Sequence, residues 1–130
     1  MDADPLTDED HASMVRATDE LTGRGWRRFS LNEALDQWSS FVENIERGYE
    51  LDYDSYLNDL SIRAWPEDAR AFVTPRVASS MDGRLAPLDV RFREATNQVP
   101  WRVWNDEWWG HRIPKLLVGE LADDIARERR

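Results

Sequence analysis

A chain of 130 residues is the size of one domain and long enough to bury a proper core. The absence of cysteine excludes disulfides, thiolate metal sites and cysteine nucleophiles, and it fits a reducing, cytoplasmic setting. A net charge of −9 disfavours phosphate backbones and anionic membranes as partners, and sixteen arginines beside a single lysine, Lys115, point to a GC-rich genome.

Apolar residues make up 41% of the chain and charged residues 33%, and fourteen aromatics supply what the aliphatic core lacks. The charge is unevenly placed. Residues 1–65 hold fifteen acids against six bases, whereas residues 66–130 hold eleven of each. Residues 33–59 hold eight acids and only Arg47 as a base. Such a strip either solvates one face or steers a basic partner toward it. No apolar run approaches the roughly 20 residues of a membrane span, and the acidic start MDADPLTDEDH is unlike a signal peptide.

Residues 1–6 read as a disordered tail, and residues 7–130 as one helical domain. Thr7 before Asp8, Glu9 and Asp10 marks a helix start. Met14, Val15, Thr18 and Leu21 form its stripe, which Gly23 and Gly25 end. The basic patch RGWRRF follows. Ser30 and Glu33 then make a capping box for a helix with Leu31, Ala34, Leu35, Trp38, Phe41, Val42 and Ile45 on its inner face. Gly48 stops it. A third helix starts at Asp52, buries Tyr53, Tyr56, Leu57, Leu60 and Ala64, and is closed by Pro66.

Residues 66–87 are irregular in pattern. Pro66 and Pro75 each allow a short helical piece, with Asp82-Gly83 as a stop. Pro87 fits a first turn, followed by Leu88, Phe92, Ala95 and Val99, and Pro100 ends that element. Four of the seven tryptophans lie within residues 101–109, in WRVWNDEWWGHRIP. Proline before it and glycine within it argue for an irregular segment, or a short hairpin near residues 99–113 turning at Asn105-Asp106. Pro114 then opens a final helix with Leu117, Leu121 and Ile125 inside, and Gly119 weakens it by about 1 kcal/mol. The terminal Arg127, Glu128, Arg129 and Arg130 place cations at its end. The expected fold is mainly α, a single-domain bundle of about five helices.

No metal or cofactor is expected. The stretch DYDSYLNDLSIR begins like a calcium loop, but Tyr56, Leu57 and Arg63 break the template. A carboxylate pair at Asp54 and Asp59 reads better as structure, with Asp52 as cap and Asp59 pairing Arg63 one turn on. No glycine-rich phosphate loop or serine nucleophile motif is present. His11 reads as solvated. His111, near Asp106 and Glu107, is the one histidine placed to act as a general base. A pocket among Trp104, Trp108, Trp109, His111 and Arg112 is the enzyme or small-ligand alternative. The arginines around Trp26, and Arg102, Arg112 and Lys115 around the later tryptophans, give a single-strand nucleic-acid alternative that the overall acidity opposes.

Protein recognition is the favoured class. Glu43, Glu46, Tyr49, Glu50, Asp52, Tyr53, Asp54 and Asp59 form an acidic strip with tyrosines, the residue type enriched where partners anchor. Tyr56 reads as core, and Tyr49 and Tyr53 read equally well as core or anchor. The tryptophan stretch reads as a core clamp whose exposed edges Arg102, Arg112 and Lys115 would cap.

Trp38, Phe41, Val42, the run IERGY at residues 45–49, Tyr56, NDL at 58–60 and Arg63 make a pattern. With LDVRFREAT from Leu88 to Thr96 and WWGHRIP from Trp108 to Pro114, it resembles a family of small, acidic proteins of high-GC bacteria. That resemblance carries no activity and no functional residues. An acidic helical chain with tyrosines among aspartates is also similar, by analogy, to the immunity proteins that cover basic nuclease toxins. The expected role is therefore a non-catalytic, acidic protein-binding module of the immunity or antitoxin kind, in the cytoplasm, away from membranes.

Overall fold

The computed structural model describes residues 5–128. Among them, six α-helices and one two-stranded sheet follow in the order α1 (Asp8–Gly23), α2 (Leu31–Arg47), α3 (Tyr53–Leu60), α4 (Ala64–Ala69), α5 (Pro75–Ala95), β1 (Thr96–Gln98), β2 (Arg112–Pro114) and α6 (Gly119–Glu128). The expected mainly α architecture is what the chain adopts, and the short α3 and α4 are joined by a 3-10 turn at Ser61–Arg63.

The α2 helix forms as its pattern predicts. Ser30 accepts from the Glu33 N–H at 3.1 Å, and Glu33 returns the bond to the Ser30 N–H at 3.0 Å. All seven expected inner residues are buried. This face lies against α5, and the two helices carry an aromatic core. Trp38 meets Phe92 with ring centroids 5.0 Å apart, and Phe41 meets Tyr49, Tyr56 and Phe92 within 6.1 Å.

The α1 stripe is rotated from the expected one. Asp10, Ser13, Ala17, Thr18 and Leu21 face inward, while Val15 is exposed. Small residues at 13 and 17 let the helix approach closely, which outweighs burial of one valine. Asp10 anchors it, because its carboxylate accepts from the Thr7 N–H at 2.9 Å and from the Thr74 hydroxyl at 2.6 Å. Those bonds hold its carboxyl below the usual range, the Thr74 hydroxyl contributing most. The tail expected over residues 1–6 falls mostly outside the described residues; Leu6, however, packs on the core.

Two prolines do not break the chain where expected. Pro66 lies in the first turn of α4, where its missing N–H leaves no bond unmade. Pro87 lies inside α5, which runs unbroken through Gly83 from Pro75 to Ala95. The reason is burial. Val77, Met81, Leu85, Leu88 and Phe92 form one stripe across both breakers. Each such side chain is worth about 1.5–3 kcal/mol, against about 3 for the proline and 1 for the glycine.

The helix stops at Ala95 rather than reaching Val99. Thr96 begins β1, which pairs antiparallel with β2 in the register Thr96–Pro114, Asn97–Ile113 and Gln98–Arg112. The hairpin expected to turn at Asn105-Asp106 does not form: the pairing lies on the flanks of the tryptophan segment, residues 101–104 are not a strand, and Trp108–His111 is a 3-10 turn in an otherwise irregular loop. Pro114 belongs to β2, so α6 starts later, at Gly119. There φ is +57°, and a Cβ would lie 2.7 Å from the Glu50 carbonyl oxygen. The glycine permits this close approach, so it is a requirement of the seam rather than a weakness of the helix. Leu121 and Ile125 are buried as expected, but Leu117 is exposed. Arg129 and Arg130 lie outside the described residues.

Candidate functional site

Two segments that flank helices run side by side. Tyr49 bridges to Leu117 in parallel, and the Glu120 N–H donates to the Glu50 carbonyl at 3.1 Å. Gly48, at φ +108°, lets the Leu116 and Val118 side chains come so close that a Cβ would lie 3.2 and 3.1 Å from them. Asp124 of α6 accepts from the Tyr53 N–H at 2.9 Å, joining α6 to the start of α3.

This seam exposes what most of the surface hides. Leu51, Leu116 and Leu117 are 57%, 49% and 38% exposed, three of the six large hydrophobic side chains so exposed among the described residues. Glu50, Asp54, Glu120 and Asp123 border them and make no ion pair with another described residue. An apolar centre with a rim of free carboxylates is the anatomy of a recognition patch.

The sequence-predicted strip divides on folding. Glu43 pairs with Arg47 at 3.5 Å, and Glu46 is held by Arg91 of α5 through bonds of 2.5 and 3.1 Å. The Arg91 hydrogen bonds keep the Glu46 carboxyl below its usual range. Asp52 caps α3 by accepting from the Ser55 N–H at 2.9 Å. Asp59 accepts from the Tyr49 hydroxyl at 2.5 Å and does not pair with Arg63. Tyr49 is 2% exposed, so it is core rather than an exposed anchor, while Tyr53 is half-buried. Of the six carboxylates in the strip, only Glu50 and Asp54 are exposed with no ion pair or side-chain hydrogen bond to another described residue. Periodicity places Leu117 inside the final helix, and nothing in the run KLLV marks Leu116 and Leu117 as exposed.

Burial has a testable consequence for the tyrosines. It pushes the Tyr49 and Tyr56 hydroxyls far above their ordinary ionisation, with the Asp59 bond adding to it at Tyr49. Above pH about 10 the unfolded chain releases those protons while the folded chain retains them. Stability should therefore hold below that pH and fall above it. Equilibrium unfolding across the alkaline range checks this: a Tyr49→Phe/Tyr56→Phe variant should lose less stability on raising the pH than the parent, and an equal loss would contradict it.

The tryptophan loop is mostly clamp. Trp109 is buried, Trp101 and Trp108 pack half-buried on the core, and Trp104 is 43% exposed. Its cationic neighbours are Arg93, 4.0 Å from the Trp108 ring, and Arg63, 4.9 Å from the Trp109 ring. The expected Arg102, Arg112 and Lys115 do other things or face solvent. Arg112 donates to the Thr96 hydroxyl at 2.7 Å and to the Arg93 and Thr96 carbonyls at 3.1 Å, and so spans the β1–β2 corner. Arg102 lies 3.5 Å from Asp106.

His111 fastens the same loop. Its Nδ1 lies 3.0 Å from the Trp101 carbonyl and its Nε2 3.9 Å from Asp106. Nδ1 thereby ties the Trp101 carbonyl to the 3-10 turn at Trp108–His111, and Nε2 is left facing the exposed Asp106 carboxylate. Among the described residues, no group of three histidine or carboxylate side chains is arranged to hold a metal ion, and no helix is long and apolar enough to cross a membrane. The basic RGWRRF patch is partly used internally: Arg28 bonds Asp19 at 2.8 Å, and Arg24 lies over Phe72.

Fold and surface together define a mainly α domain with an apolar seam rimmed by acid. No protein-family model matches the chain, nor does any curated protein or solved structure.

Proposed function

We propose that the protein is a non-catalytic, acidic recognition module that binds a basic protein partner, in the manner of an immunity or antitoxin-like inhibitor of the cytoplasm. The observation that carries this reading is the exposure of Leu51, Leu116 and Leu117 on one seam, beside the carboxylates Glu50, Asp54, Glu120 and Asp123, which form no ion pair among the described residues. The leucines supply area to bury. The carboxylates steer a cationic partner and speed its encounter.

Glu46 and Asp52 are poor probes of this site, because reversing them would break an ion pair or a helix cap. The informative changes are Glu50→Lys with Asp54→Lys for charge, and Leu51→Asp with Leu117→Asp for the apolar centre. Charge reversal should slow association and flatten its salt dependence, while the leucine changes should weaken affinity by about tenfold or more through faster dissociation. Surface plasmon resonance against the partner separates the two rates. Unaltered rates in both variants would sink the site.

A further inference from the structure

A concavity that shares no lining residue with the seam lies between the α1–α2 connection, the outer face of α2 and the end of α3, with a volume of about 540 Å³. That is the size range of small-ligand pockets. On the α5 side, the outer face of α2 is charged and paired: Asp36 with Arg84, and Glu46 with Arg91. On the groove side it presents Gln37, Ser40 and Asn44, one turn apart and uncharged, opposite Asn58 and Ser61 of the next helical segment.

The Gln37, Asn44 and Asn58 amides and the Ser40 hydroxyl make no side-chain hydrogen bond to another described residue. Amides offer a donor and an acceptor side by side, the complement of a hydroxyl-bearing ring. Asp59 gives one oxygen to Tyr49 and leaves the other open. Arg24 and Arg27 line the same groove, lie 5.0 and 5.4 Å from the Phe72 and Phe29 rings and form no ion pair among the described residues. Trp26, half-buried, lines the groove as well and adds a ring face.

In a chain of net charge −9, two guanidiniums with no ion pair among the described residues, lining an amide-rich groove, make a local site for an anion. We propose that this groove binds a phosphorylated, hydroxyl-rich small molecule, a sugar phosphate or a nucleotide. The phosphate lies at Arg24 and Arg27, the hydroxyls on the amides, and a ring against Trp26. The site shares no residue with the leucine seam, so either reading stands or falls without the other.

The test uses the full chain labelled with nitrogen-15, titrated separately with ribose phosphate, adenosine monophosphate, inorganic phosphate and free ribose. The side-chain amide signals of Gln37, Asn44 and Asn58 and the Trp26 indole signal report directly on the groove. Ribose phosphate should move the amide signals saturably, and tighter binding of adenosine monophosphate with a larger Trp26 shift would identify the nucleotide form. Arg24→Gln/Arg27→Gln, both exposed, should weaken binding by about tenfold or more with the remaining spectrum unchanged. No saturable shift with either phosphorylated probe would overturn the proposal. So would equal affinity for inorganic phosphate, equal affinity for free ribose, or unchanged binding in the arginine variant.

Discussion

Replacing Arg63 with alanine should cost about 3–5 kcal/mol, a large part of a small domain's stability. Its side chain is 4% exposed and donates to Asp89 through Nε at 3.0 Å and Nη2 at 2.8 Å, and to Glu67 through Nη1 at 3.0 Å. Burial alone would lower its proton affinity, but Asp89 and Glu67 outweigh that and raise it. Removing the guanidinium leaves the Asp89 carboxylate, itself only 15% exposed, without its counter-charge. It also strips the Trp109 ring of its covering cation. Urea unfolding measures the loss; a change under about 1 kcal/mol would mean the pair behaves as a surface bridge.

Trp38→Ala should cost a comparable amount, about 3–5 kcal/mol, by opening a cavity at the α2–α5 contact. Trp38 is fully buried, packs on Phe41 and Phe92, and donates its indole N–H to the same Asp89 oxygen that Arg63 Nε uses, at 3.1 Å. The two losses should therefore not add. With Arg63 already absent, Trp38→Ala should differ from its cost in the parent chain by about 0.5 kcal/mol or more. Additivity in that double-mutant cycle, again by urea unfolding, would show that Asp89 does not couple them.

These two residues show how far the sequence is legible. Trp38 is visible because α2 keeps a helical period with a capping box at one end and a glycine at the other, and every local signal there agrees. Arg63 is not, because its partners lie a turn ahead and on a distant helix, and spacing alone favours Asp59. The same limit explains α5. Gly83 and Pro87 are strong local breakers, and only the burial of a stripe that spans them makes one helix. Tyr49 reads as core or anchor until Asp59 is seen to accept its hydroxyl. The seam depends on two segments some seventy residues apart lying side by side, a pairing that composition and periodicity do not encode. Its acidic half was visible as a charge strip; its leucines were not, because KLLV before a glycine reads naturally as the start of a buried helix.

The central claim, that the leucine seam and its carboxylates engage a basic protein, is tested most directly by differential capture. The wild-type chain and its Leu51→Asp/Leu117→Asp variant, matched in helical content, are used as paired baits in a lysate of the native host. Retained proteins are then compared by quantitative mass spectrometry at low and high salt. The seam predicts a basic protein retained by the wild type at low salt, released as salt rises, and absent from the variant. Identical sets of retained proteins on the two baits would contradict it.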